Sequence, residues 1–311
     1  MLKLQSILRR LKLGEKFKHQ YNCHPGFDLR RGQNSCKVIW KKSEIAEIPY
    51  ASSIQGQFSD SCFIVASGPS LAEIDLTKIA SYDSISLNCA IKKFNEFHIK
   101  PTHCIIVDHR VFERQWQCVK DTILSGANCF FSYEGLSRIC EQDPALLRTG
   151  KIYLIESISR QFNIARHDKA AFLAMYRDDA DVFLDKNLLE YCRSIGFCGN
   201  LKKGVFSGKT VATWAVQLAY GLGYKQQFII GMDLGGTGKS HFYADGKNPA
   251  PDFMKDYEPH IRGCFELAKQ ASQARGFSIY NLSKHSTLPH EIIPKISLDE
   301  ALSLAQNNPT H

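Results

Sequence analysis

The chain has 311 residues, with 39 Lys and Arg against 31 Asp and Glu, a formal net charge of +8, and 44% hydrophobic residues. Such a chain can bury a sizeable core, and its composition excludes a disordered, collagen-like or rod-like protein. Its apolar runs fall far short of the ~18 residues that a bilayer span requires, which excludes a multi-pass membrane protein.

The excess charge sits at the N-terminus, within a segment taken as residues 1–55. In the first 42 residues eleven basic side chains face two acidic ones, and the remainder is close to neutral. A nucleic-acid partner is not expected, because such a protein carries basic residues along its groove as well. Leu4, Ile7, Leu8 and Leu11 recur at helical spacing among Lys3, Arg9, Arg10 and Lys12. That is the pattern of a short basic helix on an anionic membrane surface, reached through residues 1–20. The bland alternative is a helix packed on the body with a solvated basic face. Charges interrupt its apolar positions, so a secretory signal is not expected.

From 56 to 300, short apolar runs alternate with helical patterns. Strands are expected at Phe63–Ala66, Ser84–Asn88, Cys104–Asp108, Asn128–Ser132, Lys151–Glu156, Phe228–Asp233 and Ser278–Leu282. Helices are expected near 72–80, 89–97, 111–124, 208–222 and 257–275. The alternation predicts one α/β domain, with a Rossmann-like, mostly parallel sheet and helices on both faces. Residues 157–203 break the rhythm and are expected to form an inserted helical lid. Gly235–Pro251 is expected to be a loop over the site, and 301–311 a C-terminal tail. The eleven cysteines are odd in number, have no C-x-x-C spacing and lie in or beside apolar runs. They fit core positions in a reducing, cytoplasmic compartment.

Ligands of such folds sit at the carboxyl ends of the strands, so the residues there carry the argument. Ser67-Gly68-Pro69-Ser70-Leu71 joins the first strand of the domain to a helix. Gly68 lets a ligand approach the backbone, and N–H groups at the helix start suit an anion; an ordinary turn with a capping serine is the alternative. Asn88 ends the next strand, and Asp108-His109-Arg110 the one after. These last offer base and anion-binding chemistry, or only a surface ion-pair cluster. Gly204 to Thr210 approaches a P-loop but has three residues between its glycines where four are needed. Ser207 and Gly208 remain anion contacts at a helix start. Asp233 ends the Phe228–Asp233 strand, and His241 follows on its glycine-rich loop. Tyr257 and His260 stand at the start of the 257–275 helix, where the histidine is either a general base or a surface residue. Asp179-Ala180-Asp181 spells a metal-binding D-x-D but lies in a charged stretch that fits a solvated helix face.

In this order and spacing, several of these residues resemble the bacterial sialyltransferases of glycosyltransferase family 42. They are Ser67–Leu71 with Glu73-Ile74-Asp75, Asn88, Asp108 with Phe112-Glu113, Ser207-Gly208 and Gly231–Asp233. The second half is more closely similar to the bacterial lipopolysaccharide-core Kdo (3-deoxy-manno-octulosonic acid) transferase family. Ile195–Cys198, Gly231–Leu234, Phe242-Tyr243 with Asn248, Ile279–Ser283 and Ile292–Pro294 carry that similarity.

The resemblance implies a variant of the GT-A-like fold and a metal-independent, inverting transfer of Kdo from CMP-Kdo, with no cofactor. The acceptor would be a lipid A–inner core glycolipid, and the enzyme would lie peripherally on the cytoplasmic face of the bacterial inner membrane. Gly68, Pro69, Ser70 and Asn88 would hold the CMP part, and Ser207 and Gly208 its phosphate or the sugar carboxylate. Tyr257 and His241 would lie near the phosphate, and His260 would be the base, with Asp108 and Asp233 in reserve. The rivals are a CMP-sialic acid-dependent sialyltransferase and, from another class, an ATP-dependent pterin diphosphokinase-like enzyme.

Overall fold

The structure is a computed structural model and describes residues 13–185, 187, 192–235, 242 and 253–306. The basic amphipathic stretch 1–12 therefore lies outside the described residues, as does most of the Gly235–Pro251 loop. The first strands form an antiparallel meander of β1 (Phe27–Arg31), β2 (Ser35–Trp40) and β3 (Ser43–Pro49), paired in that order. Period-two alternation explains it: Phe27, Leu29, Cys36, Val38 and Ile48 are buried, while Asp28, Arg30 and Lys37 face out. The N-terminal segment expected over 1–55 is thus, from 27 to 49, a folded sheet packed into the main core.

Five strands then follow at helix-separated intervals: β4 (Ser61–Val65), β5 (Asp83–Leu87), β6 (His103–Ile106), β7 (Asn128–Phe131) and β8 (Lys151–Leu154). The 157–203 insertion contributes a two-stranded hairpin, β9 (Val182–Phe183) with β10 (Phe197–Cys198). β11 (Gln226–Ile230) and β12 (Ser278–Asn281) complete a seven-stranded sheet of order β12-β11-β4-β5-β6-β7-β8. All of its pairings are parallel. Continuous apolar strands need cover on both faces, and Cys62, Phe63, Ile64 and Val65 of β4 are all fully buried.

One face is covered by α1 (Ile91–Glu96), α2 (His109–Arg114), α3 (Trp116–Leu124), α4 (Tyr133–Gln142) and the meander. α5 (Lys169–Tyr176) lies in the insertion, whose own small core joins Ile158, Phe172, Val182, Cys198 and Phe206. The other face carries α6 (Val211–Leu222) and α7 (Gly263–Arg275). α8 (Leu298–Gln306) returns to the first face and buries Ala301 and Ala305, so the tail expected from 301 is helical to 306. Eleven cysteines are free, and all but Cys192 are buried.

From β4 the chain adds strands outward to β8, then crosses back to place β11 on the other side of β4. The seam between β4 and β11, with Val65 opposite Ile230, is the topological switch point.

Candidate active site

The segments after β4, β5, β6, β7, β8 and β11 converge on one cleft of about 420 Å³. At the switch point its floor is tied across the seam. The N–H of Gly68 donates to the carbonyl of Gly231 at 2.9 Å, and that of Ser70 to Asp233 Oδ2 at 2.9 Å. A Cβ on Gly68 would stand 2.3 Å from the Gly231 oxygen and 2.5 Å from Asp233 Oδ2, so the close approach admits only glycine.

Asp233 is 3% exposed, and its other oxygen, Oδ1, has no hydrogen-bond partner among the described residues. The same holds for Oδ1 of Asn88, also in the cleft wall. A buried acceptor without a donor costs about 1–3 kcal/mol, so these two oxygens mark where ligand hydroxyl or amino groups fit. Asn88, Lys209 and Leu234 have φ of 50°, 63° and 51°, and all three line the cleft. Such strain gathers where a scaffold positions groups for function.

Ser207, Lys209 and Thr210 bring the start of α6 to the cleft. Thr210 caps that helix by accepting the N–H of Ala212. Free N–H groups beside a lysine favour an anion there. Gly208, with φ of 49°, is needed for packing instead, because a Cβ would meet Thr213 Oγ1 at 2.7 Å and Cys264 Sγ at 2.8 Å.

Asp108 and Arg110 both line the cleft but occupy each other. Asp108 caps α2 through the Arg110 N–H at 2.9 Å and receives its guanidinium at 2.6 Å. Burial pushes this carboxyl up, and the Arg110 hydrogen bonds and charge more than offset it, leaving the pKa below the usual range. Asp108 is therefore a paired anion, ill suited to take a proton near neutrality.

Tyr257 and His260 stand on a π-helical turn, Tyr257–Arg262, which leads into α7. Tyr257 is buried, and its hydroxyl donates to the carbonyl of Thr287 at 3.1 Å. Burial, then the charge of Lys209, hold the half-buried His260 imidazole below its ordinary pKa, so it is neutral at pH 7. Neither belongs to the described cleft wall, although Lys209 does. The Ser70 hydroxyl turns toward Ser283 Oγ, 3.2 Å away, and only the Ser70 backbone serves the cleft. His241 lies outside the described residues; next to it, the Phe242 N–H donates to the carbonyl of Ser67 at 3.1 Å.

The structure thus brings Gly68, Pro69, Asn88, Asp108, Ser207 and Asp233 together. It adds two carboxylates that sequence reasoning missed. Glu134, at the start of α4, lines the cleft, and burial raises its pKa to about 7. Glu156 follows β8 and receives Arg31 Nη2 at 2.7 Å, which clamps the meander to the cleft. Both lie at or just past expected strand ends, so the strand-terminus rule would have found them. Asp179 and Asp181 lie beyond α5 and not on a helix face; both meet Lys203 Nζ, at 2.6 and 2.7 Å.

Residues 45–299 match the family model for the 3-deoxy-D-manno-octulosonic acid transferase WaaZ. Among curated proteins, the chain is 24% identical over 257 residues to a probable 3-deoxy-manno-octulosonic acid transferase of Escherichia coli, covering 79% of this chain and 86% of that one. Among solved structures, it is similar to the MAf glycosyltransferase of Magnetospirillum magneticum, at 13% identity and a TM-score of 0.48. That match covers 95% of this chain but spans only 42% of the other. It is also similar to the sialyltransferase CstII of Campylobacter jejuni, solved with cytidine-5'-monophosphate. There the identity is 13% and the TM-score 0.40, covering 76% of this chain and 84% of that one.

Proposed function

The chain belongs to the WaaZ family of 3-deoxy-D-manno-octulosonic acid transferases and is a glycosyltransferase, and we propose that it moves Kdo from CMP-Kdo to the inner core of a lipopolysaccharide or lipooligosaccharide acceptor. The observation that carries the donor side is the pair of unpartnered oxygens, Asn88 Oδ1 and Asp233 Oδ1, on the floor of a switch-point cleft. They accept from the hydroxyl and amino groups of a nucleoside, with Gly68 and Pro69 beneath it.

The phosphate then falls toward Ser207, Lys209 and the N-terminus of α6. In the reaction the bond from the sugar's anomeric carbon to the phosphate oxygen breaks, and its electron pair leaves with CMP. The acceptor hydroxyl oxygen forms the new bond from the opposite face, which inverts the centre. Negative charge grows on the phosphate, where Lys209 and the helix N–H groups stabilise it. No step calls on a divalent ion. The hydroxyl proton passes to a base that is unprotonated near neutral pH, a role that contributes about 10²–10⁴-fold. We assign this role to His260, which stands outside the described cleft wall but feels the charge of the cleft residue Lys209 and has a lowered pKa, with Glu134, on the wall itself, as the second candidate. Asp108 is held by Arg110 instead, and the unpartnered Oδ1 of Asp233 is assigned to the donor.

A glycolipid acceptor places the enzyme at the cytoplasmic leaflet of the inner membrane. No helix among the described residues is long and apolar enough to cross a membrane; the proposed contact is peripheral, through the basic residues 1–20. Thermal melting with CMP, UDP and ATP–Mg²⁺ tests the donor class. Stabilisation by CMP with or without EDTA supports the proposal, whereas stabilisation by ATP–Mg²⁺ alone moves the protein to the diphosphokinase class.

A further inference from the structure

A small cavity of about 50 Å³ lies in the insertion, lined by Ser159, Gln161, Arg166, His167 and Arg193 among others. Arg160, in the same loop, lines the main cleft, so the loop after β8 joins the two spaces.

Several arginines elsewhere in the molecule are paired. Arg31, Arg110, Arg138, Arg177 and Arg262 each meet a carboxylate. Among the described residues, Arg160, Arg166 and Arg193 form no ion pair. Nε of Arg166 is buried and has no hydrogen-bond partner, and Arg193 Nη1 donates only to the carbonyl of His167. Burial, then the charges of Arg193 and Arg160, hold the Arg166 guanidinium below its ordinary pKa.

Arg166 is partly buried beside the like charges of Arg193 and Arg160, with no ion-pair partner of its own among the described residues, so its placement costs stability. The backbone holds it in place. The Arg166 N–H donates to the carbonyl of Lys16 at 2.9 Å. His19 Nε2 lies 2.9 Å from the carbonyl oxygen of Gln161. Planar guanidiniums with open donors recognise phosphate and carboxylate oxygens better than any other side chain.

We propose that Arg160, Arg166 and Arg193 form a subsite for an oxyanion of the acceptor, a phosphate or a carboxylate, next to the donor cleft. This rests on the transferase reading, in which the acceptor is an acidic glycolipid. The subsite orients that glycolipid so that its hydroxyl faces the sugar donor, and it acts on acceptor binding rather than on the chemical step.

The first test needs no turnover: the thermal shift of the full chain with millimolar sodium pyrophosphate, for wild type, Arg166→Gln and Arg193→Gln. The wild type should be stabilised, and each variant should lose most of that shift while keeping its response to CMP. In anion-free buffer Arg166→Gln should melt no lower than wild type, because it relieves repulsion. If Arg166→Gln and Arg193→Gln both melt lower there, the arginines are packing elements and the proposal is overturned. It is equally overturned if both variants respond to pyrophosphate as wild type does.

The second test is kinetic. Both variants should raise the acceptor KM at least tenfold with kcat and donor KM nearly unchanged; an unchanged acceptor KM overturns the proposal. Loss of the difference on a dephosphorylated acceptor assigns a phosphate, and loss on a carboxyl-reduced acceptor assigns a carboxylate. Should the wild type turn over no CMP-sugar at all, the transferase reading fails, and the pyrophosphate result still stands or falls by itself.

Discussion

Asp233 and Ser70 are 163 residues apart in sequence, yet Asp233 Oδ2 accepts the Ser70 N–H at 2.9 Å and joins the ends of β4 and β11 into one floor. A hydrogen bond to a charged acceptor contributes about 1.5–3 kcal/mol. Asp233→Ala should therefore weaken CMP binding by tenfold or more. Asp233→Asn keeps an oxygen for Ser70 and should lose less. Calorimetric titration with CMP orders the three proteins.

Gly68→Ala forces a methyl group against the Gly231 carbonyl, 2.3 Å away, on a seam that cannot open without parting the sheet. Overpacking of this kind costs about 1–3 kcal/mol, which in a chain of this size lowers Tm by about 2–4 °C per kcal/mol. CMP affinity should fall with it, because the displaced backbone is the nucleotide platform.

His103 reports on acid stability. It is fully buried at the start of β6, with Nε2 2.9 Å from the Tyr224 hydroxyl, and burial lowers its pKa to about 4. The unfolded chain protonates this histidine near 6.5, so between about 4 and 6.5 it binds more protons than the folded protein. The neutral-histidine contribution is complete above pH 6.5 and is lost as pH falls toward 4. The slope is at most about 1.4 kcal/mol per pH unit. His103→Gln should be less stable at pH 7.5 and show a shallower decline between pH 6.5 and 4, as read from urea midpoints.

His260 and Glu134 make distinct marks on a pH–rate profile. His260→Ala should lower kcat by about 10²–10⁴-fold and leave CMP affinity within threefold, since the base acts on the acceptor hydroxyl. Glu134→Gln should retain most of kcat and remove any titration near pH 7. The reverse ranking would assign the proton to Glu134.

The inner sheet strands were legible where burial on both faces makes an unbroken apolar run, such as Phe63-Ile64-Val65, and the edge strands β8 and β12 by their place in the alternation with helices. The meander was not legible. Phe27 and Leu29 alternate with Asp28 and Arg30, and the surrounding basic charge outweighed a period of two. The cleft was half legible. Gly68, Asn88, Asp108 and Asp233 end strands, and the end-of-strand rule placed them together. Glu156 ends an expected strand and Glu134 lies just past one, but Arg31 of the meander, which pairs with Glu156, and Arg160 of the insertion, whose charge reaches Glu134, become neighbours only through tertiary contacts. Nothing in the sequence separated a ligand-ready aspartate such as Asp233 from Asp108, which Arg110 occupies.

The central claim is transfer of Kdo from CMP-Kdo in this cleft. Incubation with CMP-Kdo or CMP-sialic acid, a lipid A–core acceptor and EDTA tests it, with mass spectrometry of the glycolipid as readout. The account predicts one added Kdo per acceptor with matching CMP release, and loss of both in Asp233→Ala. Acceptor that gains sialic acid instead, or that stays unmodified with CMP-Kdo while the protein is folded, would contradict it.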